Sequence, residues 1–445
     1  MDKFIITGGK PLHGTVTVAG AKNVALKIPI AALLTGDKLV VKNVPQIRDV
    51  LYLVETLRSL GANIELREQT LEITTKGLDS TAVPLEFGAR LRSSSLVLGP
   101  LLARWGEAKV PNPGGCRLGA RPIDRHIEAL RQMGAEITYN STDGYFYAKA
   151  KKLRGATINF PKNTHTGTET ILLAAVLAQG RTVMENAAQE VEVDDLINCL
   201  NQMGAKIQRV APRRIVIEGV KALHGLEYTI MPDRNEEITF AIAAAVTGGE
   251  IIVKDSQPQN LTAFLKSFKE AGGTIKVIDA QTTCYGAGHR LVATQITTAP
   301  HPGFMTDWQG PWAVFMTQAN GRSTIHESVF ESRFSYVREL RKMGAKIEFF
   351  DPPVKNPEQF YNFNWNDRVR GSQQGIIING PTALHNAIVT IDDLRAGATL
   401  VLAALTAPGA SYVYGVEQID RGYEKIEARL VSLGASILRV KEGSA

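Results

Sequence analysis

LRSLGANI, residues 57–64, returns in outline as LRQMGAEI at 130–137, LNQMGAKI at 200–207, FKEAGGTI at 268–275, LRKMGAKI at 340–347 and LVSLGASI at 430–437. Its glycines are Gly61, Gly134, Gly204, Gly272, Gly344 and Gly434, spaced 73, 70, 68, 72 and 90 residues apart. A period this long is that of a whole supersecondary unit. The phrase reads as the last turn of a helix, a glycine that closes it in the left-handed conformation, and the first residues of a strand. Upstream of each copy stands an almost wholly apolar helical run, such as VALKIPIAALL (24–34) or ILLAAVLA (171–178). A β-branched strand follows, such as DKLVVKNV (37–44) or RTVMENA (181–187), then a polar turn and an amphipathic helix. The spacing therefore predicts α/β architecture in six βαβαββ-like units, each with one helix buried all round and one at the surface.

Three such units make a domain of ordinary size. Six make two similar domains, with a break near EYTIMPDR (227–234) and a cleft between them as the natural place for a ligand. The first 20 residues precede the first buried helix and could complete either domain. The sixth unit is about 20 residues longer than the others, and the excess lies in 351–375, with two adjacent prolines and several aromatics. That stretch reads as a surface loop packed by its own rings, or as a lid or contact surface.

Composition narrows the function. The chain has 445 residues, 44% hydrophobic and 21% charged, with net charge +6 and no block of like charge. Nucleic acid is therefore not the expected partner, and anionic small substrates suit the balance. MDKFIITGGK carries no signal-peptide core and no 18-residue apolar run occurs, so a cytoplasmic protein without membrane attachment is expected. Cys116, Cys199 and Cys284 are odd in number and far apart, which fits neither a disulfide framework nor a zinc site. Cys199 and Cys284 lie in core patterns. Cys116 stands behind Gly114 and Gly115 in PNPGGCRLGARPIDRH (111–126), with Arg121 and His126 close by, a setting that favours the thiolate.

Polar residues gather just ahead of the apolar helices: Lys22 and Asn23, Arg90 and Arg92, Lys162 to Thr166, Asp233 and Arg234, Thr306 and Asp307, Asp393 and Arg395. Charges leading a buried helix are costly unless the helix opens on a polar site. Helix N-termini also favour anions, so Lys22, Arg92, Lys162 and Arg395 read as an anion trap for phosphates and carboxylates. Asp233, Asp307 and Asp393 read first as caps or ion-pair partners. No P-loop, GxSxG, HExxH or GxGxxG motif occurs. The residues alone thus describe a two-domain enzyme for anionic substrates, with Cys116 as acid/base or nucleophile.

AGAKNVAL, LRSSSLVLGPLLAR, PGGCRLGARPIDRH, APHPGFMTDWQ, DDLRAG and IDRGYEKIE resemble the motifs of the UDP-N-acetylglucosamine 1-carboxyvinyltransferase family, from residue 1 to about 440. The resemblance implies two inside-out α/β domains of three units each, residues 1–20 with 230–445 and residues 21–229, and an active site in the interdomain cleft. It implies transfer of the enolpyruvyl group of phosphoenolpyruvate to the 3-hydroxyl of UDP-N-acetylglucosamine, at the start of peptidoglycan synthesis, with no cofactor and no metal. Through cell-wall biogenesis it implies a part in cell shape, cell division and the cell cycle. Lys22, Asn23, Arg121 and Arg395 would hold phosphoenolpyruvate. Asn23, Arg92, Arg121, Pro122, Ile123, Asp124, Arg125, Lys162, Asn163, Thr164, His165, Asp307 and Val329 would hold the UDP-sugar. Cys116 resembles the family's proton donor and the target of fosfomycin, and Asp307 its candidate base. The enzyme is expected to be a monomer or weak homo-oligomer.

Two departures touch the nucleotide side. Thr164 and His165 stand where the family commonly has Ser-Val, and Arg125 stands where it usually has an aliphatic residue. A third, PDRNEEITF (232–240), replaces PDRIE followed by small residues. A related enolpyruvyl transferase with another acceptor, 3-phosphoshikimate or a nucleoside phosphate, is the alternative.

Overall fold

The computed structural model describes residues 2–114 and 123–441. The described chain forms two compact units. One holds residues between Gly20 and Met231; the other holds residues up to Ala19 and from Pro232 onward.

The third repeat shows the unit in full. The strand Thr157–Asn159 leads to the helix His165–Ala175, the strand Arg181–Glu185, the helix Val191–Gln202 and the hairpin Lys206–Ala211 with Arg214–Glu218. Arg181–Glu185 pairs in parallel with Thr157–Asn159 and antiparallel with Arg214–Glu218, whose other edge pairs with Lys206–Ala211. Five sheets among the described residues have four strands, and the sheet of Glu107–Pro111, Tyr145–Lys149 and Glu136–Asn140 has three. There the parallel edge shrinks to a single bridge, Ala82 with Lys109.

Each unit is inside out. In the second unit the helices Arg234–Thr247, Gln309–Thr317 and Leu394–Thr406 pack on one another, and nearly every residue in them is buried. Sequences without a polar face can be stable only in such a place. The sheets lie outside them with alternating burial, as in Arg214–Glu218. Three strands close the units across sequence. Lys3–Gly8 pairs with Gly409–Tyr414 and Ser436–Val440, His13–Thr17 with Glu250–Lys254, and Glu227–Thr229 with the first repeat's Leu39–Lys42.

The repeated phrase does what its glycine suggests. All six glycines have φ between 92° and 100°, where a Cβ would strain the backbone. In five copies the amide after the glycine reaches back to the carbonyl of the phrase's leucine, as Ala62 to Leu57 at 3.1 Å and Ala435 to Leu430 at 3.0 Å. In four copies the second residue donates its side chain to the carbonyl of the final isoleucine: Arg58 to Ile64, Arg131 to Ile137, Asn201 to Ile207 and Arg341 to Ile347, at 2.7–2.9 Å. One side chain thus ties each helix end to the strand that follows.

Two expectations need correction. The first apolar run is not one helix but the short helices Lys22–Ala25 and Ile28–Ala31 and a 3-10 turn, Ala32–Leu34, because Pro29 lacks a donor and Lys27 leaves helical geometry at φ −130°. The 351–375 segment belongs to the fifth sheet rather than a sixth unit, since it joins the paired strands Ile347–Phe350 and Gly375–Gly380. The repeated glycine falls mid-unit, so an insertion after it lengthens the next interval. The segment packs on its own rings. Tyr361 and Trp365 stack with centroids 4.6 Å apart, Arg368 lies 3.7 Å over Trp365, and Phe360 stacks on His326. Burial pushes the Tyr361 hydroxyl up to about 12.

Candidate functional site

In the unit of Gly20–Met231 the polar residues lie at the leading ends of the apolar helices. Lys22, only 7% exposed, places Nζ 2.7 Å from Oδ2 of Asp49, in the first turn of the helix Arg48–Ser59. Asn23 beside it is half-buried, as is Arg92 at the start of the 3-10 segment Arg92–Val97. Ile123 is buried, and Asp124 and Arg125 open the helix Asp124–Gln132. Arg125 donates from Nη1 to the Asn163 carbonyl at 3.4 Å, and burial lowers its pKa with Asp124 opposing. A cavity of about 570 Å³ is lined by Ile123, Asp124, Arg125, Phe146, Asn159 and Phe160 among others. It therefore gathers three of the residues expected at the UDP-sugar, and Pro161, which also lines it, is followed in sequence by Lys162, Asn163, Thr164 and His165.

Thr164 caps the helix His165–Ala175 by accepting from the Gly167 amide at 3.1 Å. His165 places Nε2 2.9 Å from Oε1 of the fully buried Glu169, and Lys27 places Nζ 2.7 Å from the same oxygen. Burial alone would lower the imidazole's pKa, but the Glu169 carboxylate outweighs it and the net shift is upward. His126 is buried, with Nε2 2.8 Å from Oγ1 of Thr166. Cys116, Arg121 and Pro122 lie outside the described residues.

In the other unit the site residues form one network. Asp307 sits between two guanidiniums, with Oδ1 2.7 Å from Nη1 of Arg333 and Oδ2 3.2 Å from Nη2 of Arg395. Burial by itself would raise the Asp307 pKa, but the paired cations hold it well below the carboxylate range. Arg395 also donates to the Tyr423 hydroxyl at 3.1 Å. Asp393 caps the Arg395 helix, accepting from the Arg395 and Ala396 amides at 2.9 and 3.1 Å, and Asp233 caps the Arg234 helix in the same way. The cap reading thus describes Asp233 and Asp393, and the ion-pair reading Asp307. The Val329 amide donates to Oε1 of buried Glu327 at 2.7 Å, and Oε2 of Glu327 accepts from Thr306 at 2.8 Å.

In these two sets Lys22 is paired with Asp49, Lys27 with Glu169, and Arg333 and Arg395 with Asp307, and such pairs suit anionic groups that can exchange with the carboxylate. The sequence profile of EPSP synthase (3-phosphoshikimate 1-carboxyvinyltransferase) matches residues 6–430. The chain belongs to the EPSP synthase family. Among its curated relatives, the UDP-N-acetylglucosamine 1-carboxyvinyltransferase of Myxococcus xanthus is 42% identical over 99% of this chain and 100% of its own length. Those of Acidobacterium capsulatum and Magnetococcus marinus are each 44% identical over 99% of this chain and 96% and 100% of theirs. The solved enolpyruvyl transferase NikO of Streptomyces tendae superposes with a TM-score of 0.85 at 23% identity, covering 99% of both chains. EPSP synthase of Acinetobacter baumannii gives 0.72 at 19%, covering 99% of this chain and 100% of its own. These two likenesses establish the fold.

Within this EPSP synthase family fold, sequence reasoning missed the partners of its own candidates: Asp49 for Lys22, Arg333 for Asp307, and Lys27 with Glu169 for His165. Asp49 reads as an ordinary first-turn acid, and Arg333 in ESRFSYVREL precedes an amphipathic helix rather than a buried one. Lys27 sat in plain view, a lone charge inside VALKIPIAALL that needed a buried counterion. Among the described residues no three His, Cys, Asp or Glu side chains are grouped to hold a metal, and no helix is long and apolar enough to cross a membrane.

Proposed function

We propose that this chain transfers the enolpyruvyl group of phosphoenolpyruvate to the 3-hydroxyl of UDP-N-acetylglucosamine and releases phosphate, committing the sugar nucleotide to peptidoglycan. The observation that carries the reading is 42–44% identity over essentially the whole chain to curated relatives of that name. The chain is a transferase. We place it in the cytoplasm, where both substrates are soluble, with no nucleic-acid partner.

In this reading Lys22, Asn23, Arg121 and Arg395 hold phosphoenolpyruvate. Asn23, Arg92, Arg121 to Arg125, Lys162 to His165, Asp307 and Val329 hold the UDP-sugar. The sugar oxygen attacks C2 of phosphoenolpyruvate as its proton passes to Asp307, and Cys116 gives a proton to the methylene carbon. Loss of a proton from the new methyl group then expels phosphate and restores the double bond. The cations offset charge on the leaving group. Asp307 in the ion-paired state is a weak base. An anionic substrate that draws Arg395 away would strengthen it, so donor binding and base strength are linked through one guanidinium.

The test is phosphate release from phosphoenolpyruvate with UDP-N-acetylglucosamine, UMP or 3-phosphoshikimate as acceptor. Release with the UDP-sugar is expected; release only with another acceptor overturns the reading, and release only with 3-phosphoshikimate favours the activity for which the family profile is named. Fosfomycin should alkylate Cys116, faster with the UDP-sugar present, and leave the buried Cys199 and Cys284 unmodified. Peptide mapping that finds label at either buried cysteine and none at Cys116 would contradict that role.

A further inference from the structure

Residues 327–333 form a turn outside helix and strand that ends on Arg333, whose guanidinium grips Asp307. Within it the fully buried Glu327 takes the Val329 and Phe330 amides on Oε1, at 2.7 and 2.9 Å. Ser332, next to Arg333, has φ 40°, a left-handed setting that a residue with a side chain keeps only when its surroundings impose it. Those surroundings come from the 351–375 segment. Gln374, 1% exposed, closes that segment just ahead of the strand Gly375–Gly380. Its carbonyl accepts from the Glu327 amide at 2.8 Å and its side-chain Oε1 from the Ser332 amide at 3.0 Å, so one residue spans the turn from end to end. Two more bonds come from the middle of the segment: the Asn362 amide to the Ser328 carbonyl at 2.8 Å, and the Val369 amide to Oε1 of Glu331 at 2.6 Å. The stack of Tyr361, Trp365 and Arg368 gives those amides a fixed frame. Tyr361 also meets the strand that enters the turn, with its hydroxyl 3.0 Å from Nε2 of His326.

We propose that the 351–375 segment braces the acceptor side of the site, with Gln374 as a positioning residue that holds Ser332 left-handed and so sets both the backbone at Val329 and the aim of Arg333 at Asp307. The proposal rests on the function above, in which Val329 and Asp307 meet the UDP-sugar. Gln374 itself touches no substrate. The brace orders the turn before the acceptor arrives, so its loss transfers that ordering cost to the binding step. Lys22, Asn23, Arg121 and Arg395, which hold phosphoenolpyruvate in this reading, lie outside the turn, so the effect falls on one substrate.

The experiment measures phosphate release by the full chain with each substrate varied in turn, in wild type, Gln374→Met and Glu331→Ala, and urea unfolding of each. Methionine keeps the length of the Gln374 side chain and removes its acceptor. Gln374→Met should raise the KM for UDP-N-acetylglucosamine about tenfold, the scale of one lost buried hydrogen bond, and leave that for phosphoenolpyruvate within about twofold. Glu331→Ala, which cuts the bond from Val369, should show the same selectivity with a rise of about threefold, and it decides the matter alone if Gln374→Met does not fold. Lost stability by itself lowers the folded fraction, and with it the rate, but leaves both KM values where they are. A KM for the UDP-sugar that does not move, or that rises together with the KM for phosphoenolpyruvate, overturns the proposal. Wild-type turnover of the UDP-sugar without that split in the variants removes the brace and leaves the functional reading standing. Wild type that releases no phosphate with the UDP-sugar refutes the reading itself, and the proposal with it.

Discussion

Replacing Asp307 with Asn tests the ion-paired network of Arg333, Asp307 and Arg395. The swap keeps shape and removes one charge. Arg333 and Arg395, 2.7 and 3.2 Å away with side chains 8% and 9% exposed, then face each other across a neutral amide. Breaking a buried pair costs about 3–5 kcal/mol. Asp307 keeps 19% exposure and the amide oxygen still accepts one bond, so a loss of about 2–3 kcal/mol is expected. The pH dependence follows from the lowered pKa. Asp307 binds its proton more weakly folded than unfolded, so its contribution is complete above the unfolded value of about 3.9 and is lost as pH falls through the folded one. The gap between wild type and variant should be constant from pH 6 to 8 and narrow below about pH 4. Urea unfolding read by tryptophan emission suits the measurement, because Trp308 and Trp312 are buried in the same unit. Turnover should also fall, by about 10²–10⁴, if Asp307 takes the sugar proton. A stability loss below about 0.5 kcal/mol at pH 7, or a gap that persists unchanged at pH 3, would refute the ion-pair account.

Other consequences can be checked separately. Gly134→Ala should cost about 1 kcal/mol from backbone strain alone, since φ is 93° and nothing lies within 4 Å of the new Cβ. Gly61→Ala should cost more, because Asp79 Oδ1 would lie 2.5 Å from the added carbon; equal losses in the two variants would contradict the argument. Lys22→Met should remove the buried ammonium 2.7 Å from Asp49, lowering stability by about 3 kcal/mol and raising the KM for phosphoenolpyruvate. Chelators should not lower turnover; activity lost in chelator and restored by magnesium would contradict a reaction run on side-chain cations.

The fold was legible where chemistry is local. A glycine that must take positive φ, a helix with no polar face and a β-branched strand each declare themselves in a few residues, and repetition multiplied the signal. Strand exchange was not legible, because nothing in Lys3–Gly8 or Glu227–Thr229 says which distant edge it completes. The 351–375 segment was readable as ring-packed but misplaced by unit, since sequence spacing counts phrases and not sheets. At the site, charged residues ahead of buried helices pointed to Lys22, Asp307 and Arg395. Their partners, Asp49 in another helix and Arg333 in the loop before one, are joined to them only by tertiary packing. The Lys27–Glu169–His165 triangle escaped notice for the same reason, although its unusual histidine was seen.

The most direct test of the central claim follows the carbon. Phosphoenolpyruvate labelled with ¹³C in the three-carbon skeleton is incubated with UDP-N-acetylglucosamine and the full chain, and the nucleotide product is read by NMR while phosphate is counted. The account predicts a labelled vinyl ether on the sugar 3-oxygen, formed one for one with phosphate and lost in Cys116→Ser. Phosphate without labelled nucleotide, or label on a different acceptor alone, would contradict it.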